Sequence, residues 1–340
     1  MTRVEPSNTQ LIDAVTLLDA GDGLSAEVIA RRLAETADVC AEVRAKALTL
    51  LRQGQAGWTF ERLEDTDRVA AWRLALLRRV RPGQRVLDIG GTGGVLAMLA
   101  ASAGAAVTVW EGHPMAAALV QRVVAENGFA DRITVISGDV LAHPHSALAE
   151  LVLADPDTDA GLSAERDEVL LHLCATRPSV RVLPEALTLR AAPVDVPPTD
   201  GEPYLESVAE FDLTALGVLT PASVAVPRNS PLLTLVGPVA NLLTRALGRP
   251  PAEEAVAASV PVSARLVSGV AHWLTLEFGD GLTHDNAPHP HLVGGMPITV
   301  HRPPRALHVR IGQPVRISGV WRGTQCVLTA VSTIEDRPAA

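Results

Sequence analysis

Cysteine is scarce in this sequence, lysine almost absent, and long apolar runs are missing altogether. The three cysteines, Cys40, Cys174 and Cys326, are odd in number and widely spaced, so they form neither a disulfide framework nor a zinc-ligand pattern. They read as reduced thiols. No stretch approaches the roughly 18 uninterrupted apolar residues of a membrane span. Met1 to Gly21 lacks the basic start and apolar block of a secretory signal. The chain is therefore expected to be cytoplasmic and to avoid membranes. Positive charge is also short: 29 Lys and Arg against 38 Asp and Glu give a net charge of −9. Nucleic acid, whose backbone calls for a basic surface, is excluded as a partner, whereas a cationic substrate is favoured. Lys46 is the only lysine, which reads as compositional bias rather than function.

What is present is a chain of 340 residues, 47% hydrophobic, long enough for one large domain or two ordinary ones. Its centre is Val86-Leu87-Asp88-Ile89-Gly90-Gly91-Thr92-Gly93-Gly94-Val95-Leu96. Val86 to Ile89 reads as a buried strand end, the glycines as a tight turn, and Val95 to Ala103 as a helix. A helix N-terminus behind a glycine turn offers free N–H groups and the positive end of a dipole, which suits a nucleotide-like ligand. The dinucleotide spacing fails, because counting from Gly91 and Gly93 the third small residue is replaced by Leu96. Asp88, two before the first glycine, suits instead the Rossmann-like S-adenosylmethionine methyltransferases. A bare strand–helix turn is the alternative.

Residues 9 to 54 carry helical periodicity, with Gly21-Asp22-Gly23 dividing the first helix from a second that Ser25 is placed to cap. A further amphipathic helix begins near Leu63, and its Asp65 and Arg68 share a face. After the glycine turn, Ala106 to Trp110 reads as a strand ending in Glu111. Glu111 is placed to reach a ribose diol, or to face solvent as an ordinary strand-end carboxylate. Pro114 to Glu126 reads as a helix closed by Asn127-Gly128, Arg132 to Ile136 as a strand, and Glu150 to Ala154 as another. Asp139 and Val140 follow the third strand, where this architecture places an adenine. The alternation predicts a doubly wound parallel sheet with ligands at the strands' C-terminal ends. The proline-rich stretch Ala192 to Pro203 reads as a linker. Beyond it the period changes to two, giving an antiparallel sandwich or barrel. The domain expectation is a helical segment over 1–57, a Rossmann-like methyltransferase domain over 58–192 and a β-barrel domain over 193–340.

Several of these pieces together resemble the protein arginine methyltransferase family, its type III (monomethylating) branch in particular. They are Asp88-Ile-Gly90 through Ala103-Gly104-Ala105, Glu111 with His113-Pro-Met115, and Asn127-Gly-Phe129 with Asp131-Arg-Ile133. Leu63-x-Asp65-x-x-Arg68-x-x-x-Trp72 is similar to the family's helix before the first strand, whose usual form ends in Tyr. Val182-Leu-Pro184-Glu-Ala-Leu-Thr188 resembles the last catalytic-domain strand. The resemblance spans about 58 to 335.

It implies that Arg68, held by Asp65, meets the methionine carboxylate of S-adenosyl-L-methionine. The backbone at Gly90, Gly91 and Gly94 would pass along the methionine portion, Glu111 would accept both ribose hydroxyls, and Asp139 and Val140 would border adenine. Thr92 stands where the family has glycine. A β-branched residue tolerates positive φ poorly, so a differently shaped turn is expected. The family's first loop glutamate is Asp155 here, and the second falls at Glu165 or, by another alignment, Ser163. The family's Thr-His-Trp loop matches Pro290-His291-Leu292, and the aromatic substrate clamp is missing around Thr49 to Gln53. The resemblance also implies dimers or dimer-like pairs, although no dimerisation arm stands out between Pro221 and Pro251.

The implied chemistry is methyl transfer to a guanidinium. That group stays protonated with its lone pairs delocalised. Two carboxylates in a dry pocket grip it bidentately and aim one nitrogen at the methyl. Asp155 and Glu165 are the candidates, Asp157 and Asp159 the substitutes, and His291 orients a carboxylate or relays the proton. An acidic solvated loop is the plainer reading. Transfer to another amine or hydroxyl, and a non-catalytic cofactor-binding relative, stay open. His113, His143, His145 and His172 have no metal-ligand spacing, and no metal is expected.

Overall fold

The computed structural model describes residues 6–53, 59–197, 207–213, 215, 221–250, 254–303, 306–322 and 325–332. They fall into two compact units. The first comprises Met1–Phe60, Val69–Asp155 and Glu168–Leu183; the second comprises Glu61–Arg68, Pro156–Asp167 and Pro184–Ala340. No helix among the described residues is long and apolar enough to cross a membrane.

The chain begins with α1 (Pro6–Asp19), α2 (Gly23–Glu35) and α3 (Ala41–Leu51). Ala14, Leu18, Ala26, Ala30 and Leu50 close on one another and on Met115, and Leu33, Val43 and Ala47 form a second cluster. The cap of α2 is Asp22, whose Oδ1 accepts the Ser25 N–H at 3.0 Å, so Ser25 is the capped residue and not the capping one. Next come α4 (Thr59–Glu64), α5 (Thr66–Arg79), β1 (Arg85–Asp88), α6 (Val95–Ser102), β2 (Ala106–Trp110) and α7 (Pro114–Glu126). The run ends with β3 (Ile133–Ile136), α8 (Pro144–Ala147), β4 (Leu151–Leu153), α9 (Ala164–Thr176) and β5 (Arg181–Leu183).

These strands make one parallel sheet in the order β3-β2-β1-β4-β5. Val86, Leu87, Val107, Val109, Leu151, Val152 and Leu153 are all buried, as strands covered on both faces require. The order reverses at β1, which opens a crevice beyond the C-terminal ends of β1 and its neighbours. α7 has the predicted limits. His113 caps it through Nδ1, Pro114 takes its first turn, and Asn127 ends it.

The second unit is antiparallel. Its strands are β6 (Ala186–Asp195), β7 (Ser207–Val208), β8 (Phe211–Asp212), β9 (Ser223–Val226), β10 (Thr234–Leu235), β11 (Ala240–Ala246) and β12 (Glu254–Pro261). They continue with β13 (Leu266–Val267), β14 (Gly269–Glu277), β15 (Thr283–Asp285), β16 (Ile298–His301), β17 (Leu307–His308), β18 (Pro314–Arg322) and β19 (Gln325–Ser332). The large sheet runs β10-β6-β14-β16-β9, with β11 also on β6 and β15 on β14. A second sheet runs β12-β18-β19.

Alternate residues of β6 and β14 enter different cores. Ala191 and Val270 pack with Val315, Ile317, Leu328 and Ala330, whereas Ala192, Val194, Ala271 and Trp273 pack with Val226, Ile298 and Val300. Two details differ from the sequence reading. β6 runs straight through Ala192 and Pro193, where a linker was expected. Pro193 lies opposite Val270 and its carbonyl still accepts the Val236 N–H at 2.9 Å, so the missing N–H of proline does not end the strand. Between Pro221 and Pro251, β9, β10 and β11 all pair into the large sheet.

Candidate active site

At the switch point of the parallel sheet, β1 ends in Asp88, wholly buried, whose Oδ1 accepts the Gly90 N–H at 3.0 Å. β2 ends beside it, and Glu111, 5% exposed, accepts the Gly91 N–H at 3.1 Å. The turn is carried by glycines: Gly90, Gly91, Gly93 and Gly94 all have positive φ, and Thr92 does not. The Thr92 substitution therefore leaves a positive-φ turn intact, because its neighbours absorb the left-handed torsions. Gly90 is doubly constrained. Its φ is +83°, and a Cβ there would sit 2.3 Å from the Trp110 carbonyl oxygen and 3.0 Å from the Glu111 carboxylate. The Thr92 hydroxyl is buried without a hydrogen-bond partner, so the turn carries an unsatisfied polar atom. Gly94 leads into α6 with φ +83°.

Further along the sheet, Trp110 Nε1 donates to the Gly138 carbonyl at 2.8 Å. Asp139 is exposed, and its Oδ1 accepts the Leu141 and Ala142 N–H groups at 2.9 and 3.3 Å. Its carboxylate shapes the turn, and Val140 is the buried neighbour. Just beyond β4, Asp155 is 1% exposed and accepts a 2.9 Å hydrogen bond from Trp72 Nε1 on α5.

The other candidates lie in the second unit. Asp65 precedes α5, and its Oδ1 accepts the backbone N–H of Arg68 at 3.0 Å, an N-cap contact. Its Oδ2 is 2.6 Å from Arg228 Nη1 and 3.3 Å from His284 Nε2. Burial pushes the Asp65 carboxyl up. His284, the Arg68 N–H and the Arg228 charge more than offset this and hold it below the usual carboxylate value. Gly295 is needed here, because a Cβ at its φ of +95° would meet Arg228 Cδ at 2.3 Å. Arg68 is buried, with Nη2 3.4 Å from the Pro156 carbonyl, which Arg62 Nη1 also reaches at 2.8 Å.

Glu165 is exposed in the first turn of α9. Asp157 accepts the Ser163 N–H at 2.6 Å and lies 3.2 Å from Arg166 Nη1. Asp159 accepts from Thr299 Oγ1 at 2.6 Å. Asp157 and Asp159 thus brace their own loop. Asp167 is buried 3.6 Å from Arg245 Nη2, and its pKa is raised by burial, only partly offset by that charge. His291 is exposed, its N–H donating to His289 Nδ1 at 3.3 Å. The histidine set against a buried carboxylate is His284, on β15. The dipeptide Thr283-His284 was the signal, retaining two residues of the Thr-His-Trp pattern. Arg228 had no local signal at all.

A parallel sheet with a glycine turn and buried acids at its switch point, followed in the chain by antiparallel sheets, defines a Rossmann-like fold with an appended β unit. No protein-family model matches the chain. It is 29% identical over 261 residues to an arginine N(omega)-methyltransferase of Streptomyces achromogenes subsp. streptozoticus, covering 70% of this chain and 69% of that one. Among solved structures, the Trypanosoma brucei PRMT1 enzyme–prozyme heterotetrameric complex with AdoHcy matches with a TM-score of 0.65 at 20% identity, over 83% of this chain and 94% of that one. Arabidopsis thaliana protein arginine methyltransferase 10 matches with a TM-score of 0.63 at 14% identity, over 82% and 99%. In fold the chain is similar to these arginine methyltransferase structures, and over 70% of its length its sequence is similar to the Streptomyces arginine N(omega)-methyltransferase.

Proposed function

We propose that this chain transfers a methyl group from S-adenosyl-L-methionine to a guanidinium nitrogen of arginine, free or within a small derivative, as the monomethylating branch does. One observation carries the reading: a buried carboxylate, Glu111, held against the glycine turn at the sheet's switch point. The residues present fit the cofactor. Gly90 leaves room that any Cβ would fill, Thr92 offers an unpaired hydroxyl, and Glu111 supplies acceptor oxygens for a diol. The cofactor supplies an electrophilic methyl on a good sulfonium leaving group, so the protein's task is chiefly positioning. Arg68 is proposed for the cofactor's carboxylate, and Val140 for the adenine edge.

Asp155 is the proposed guanidinium acceptor. Trp72 fixes one of its oxygens in a dry setting, where a charge-assisted hydrogen bond to a guanidinium is strengthened. One acid a methylene shorter than glutamate, with no aromatic clamp near residues 49–53, favours a compact acceptor over a protein segment. The Streptomyces relative, too, carries a name that specifies arginine. Glu165 being exposed favours a second reading, transfer to another amine or a hydroxyl, since a paired-acid grip then lacks its second member. A cytoplasmic location and a homodimer belong to the same proposal, the latter checked by sedimentation.

Intact-mass analysis after incubation with the cofactor and a panel of acceptors tests the reading. Arginine or an arginine derivative gains one methylene, and Asp155→Asn loses this while cofactor affinity by calorimetry is unchanged. Methylation confined to acceptors without a guanidinium supports the second reading; an absence of cofactor binding defeats both.

A further inference from the structure

Three residues far apart in sequence meet inside the second unit. His272 on β14, His301 on β16 and Cys326 on β19 offer ligand atoms that all lie within 4.8 Å of one another. The register explains the meeting. His272 and Val270 share one face of β14, and His301 lies on the opposite face of β16 from Val300. Both imidazoles therefore enter the side where β18 and β19 pack, the core that Cys326 also joins. His272 is 0% and His301 5% exposed, and their rings stack with centroids 4.9 Å apart.

The contacts set up a coordination site. His272 Nδ1 and His301 Nε2 are 2.9 Å apart. On its far side, His272 Nε2 lies 3.2 Å from the Asp159 carbonyl oxygen and 3.5 Å from its carboxylate Oδ2, which Thr299 Oγ1 anchors at 2.6 Å. A histidine that donates one N–H to a carboxylate or carbonyl is fixed in the tautomer that turns its other nitrogen's lone pair toward a metal. Here that nitrogen is Nδ1, the one facing His301 and Cys326.

We propose that His272, His301 and Cys326 bind one zinc ion, with Asp159 orienting His272 from outside the coordination shell. Two imidazoles and a thiolate are the donor set of zinc and not of calcium or magnesium, which require oxygen. Charge closes as well: a dication, one thiolate and the Asp159 carboxylate sum to zero, which a buried site requires. Tetrahedral ligation at about 2.0–2.3 Å asks the two ring nitrogens to part by only a few tenths of an ångström. The Asp159 side chain is 39% exposed, which gives the ion a way in. Once bound, the ion ties β14 and β16 to β19, across two sheets. This inference is independent of the transferase reading.

The untagged full chain, stripped by a chelator and dialysed, is titrated with zinc chloride against a chromophoric competitor, and separately with cobalt(II). One equivalent of zinc binds and raises the melting temperature, and cobalt gives a thiolate charge-transfer band in the near ultraviolet. Cys326→Ser abolishes that band and weakens zinc by more than about 100-fold. Asp159→Asn weakens it about 10- to 100-fold, while Cys40→Ser and Cys174→Ser change nothing. If the folded wild-type chain takes up neither ion, or Cys326→Ser binds zinc as tightly as wild type, the three residues are a hydrogen-bonded core cluster and the proposal is wrong. The wild-type titrations decide this even if a variant fails to fold.

Discussion

The indole Nε1–H of Trp72 donates to Oδ1 of Asp155 across 2.9 Å, with each residue only 1% exposed. Trp72→Phe keeps an aromatic side chain, though a smaller one, and deletes the donor. A buried carboxylate oxygen then loses a charge-assisted partner, which costs about 1–3 kcal/mol of folding stability by denaturant titration. Turnover falls further than stability alone explains, because the acid loses its fixed direction, and cofactor affinity stays within twofold. Equal losses of turnover and cofactor affinity contradict Asp155 as the acceptor-binding acid.

Gly90→Ala places a methyl group 2.3 Å from the Trp110 carbonyl oxygen at a φ that alanine resists. Glu111→Ala removes the buried acid itself. Both variants lose at least about 10-fold in calorimetric affinity for S-adenosylmethionine, as the loss of a charged hydrogen bond implies. Arg68→Ala does likewise if Arg68 holds the cofactor's carboxylate. Unimpaired binding in Glu111→Ala refutes the site assignment.

Asp65 predicts an acid response. Its carboxyl is held below the usual value in the folded chain, so it contributes stability at pH values above about 4 and loses it as pH falls through the lowered folded value. Asp65→Asn is less stable than wild type at pH 7, and its stability declines less steeply as pH falls below about 4. Stability curves that run parallel through that window remove Asp65 from the account.

In the first unit, Glu27 on α2 is buried and meets Arg122 of α7 through two hydrogen bonds, at 3.0 and 2.6 Å, and Arg31 through a third. Burial raises its pKa, but the two guanidinium groups outweigh this and lower it overall. Glu27→Gln costs about 2–3 kcal/mol, read as a fall in melting temperature, with methyl transfer at 25 °C unaffected.

Features set by short spacing were legible in the sequence. The Asp88–Gly94 turn, Glu111 and both ends of α7 follow from residues within a few positions of one another, and the parallel sheet follows from their alternation. What depends on distant strands was not. Asp65 meets Arg228 and His284, which lie far along the chain and left no local sign, besides capping the Arg68 backbone N–H three residues on. His291 was taken because the resemblance set the family's Thr-His-Trp loop against Pro290-His291-Leu292, which left His284 among the other histidines of that segment. Only the pairing of Leu276 with His284 places the latter against a buried acid. Cys326 was read as an isolated thiol because its neighbours come from two other strands.

The second unit draws on three separate stretches of sequence, and Asp65 and Arg228 stand 163 positions apart. On the ribosome, residues 61–68 are therefore made long before the side chains that will meet Asp65. Until Arg228 and His284 emerge, that carboxylate has to remain hydrated, so the segment around it cannot reach its final burial early. Completion of the second unit is tied to the emergence of Arg228 and His284, and any nascent chain stalled before Arg228 should be a ready target for proteases.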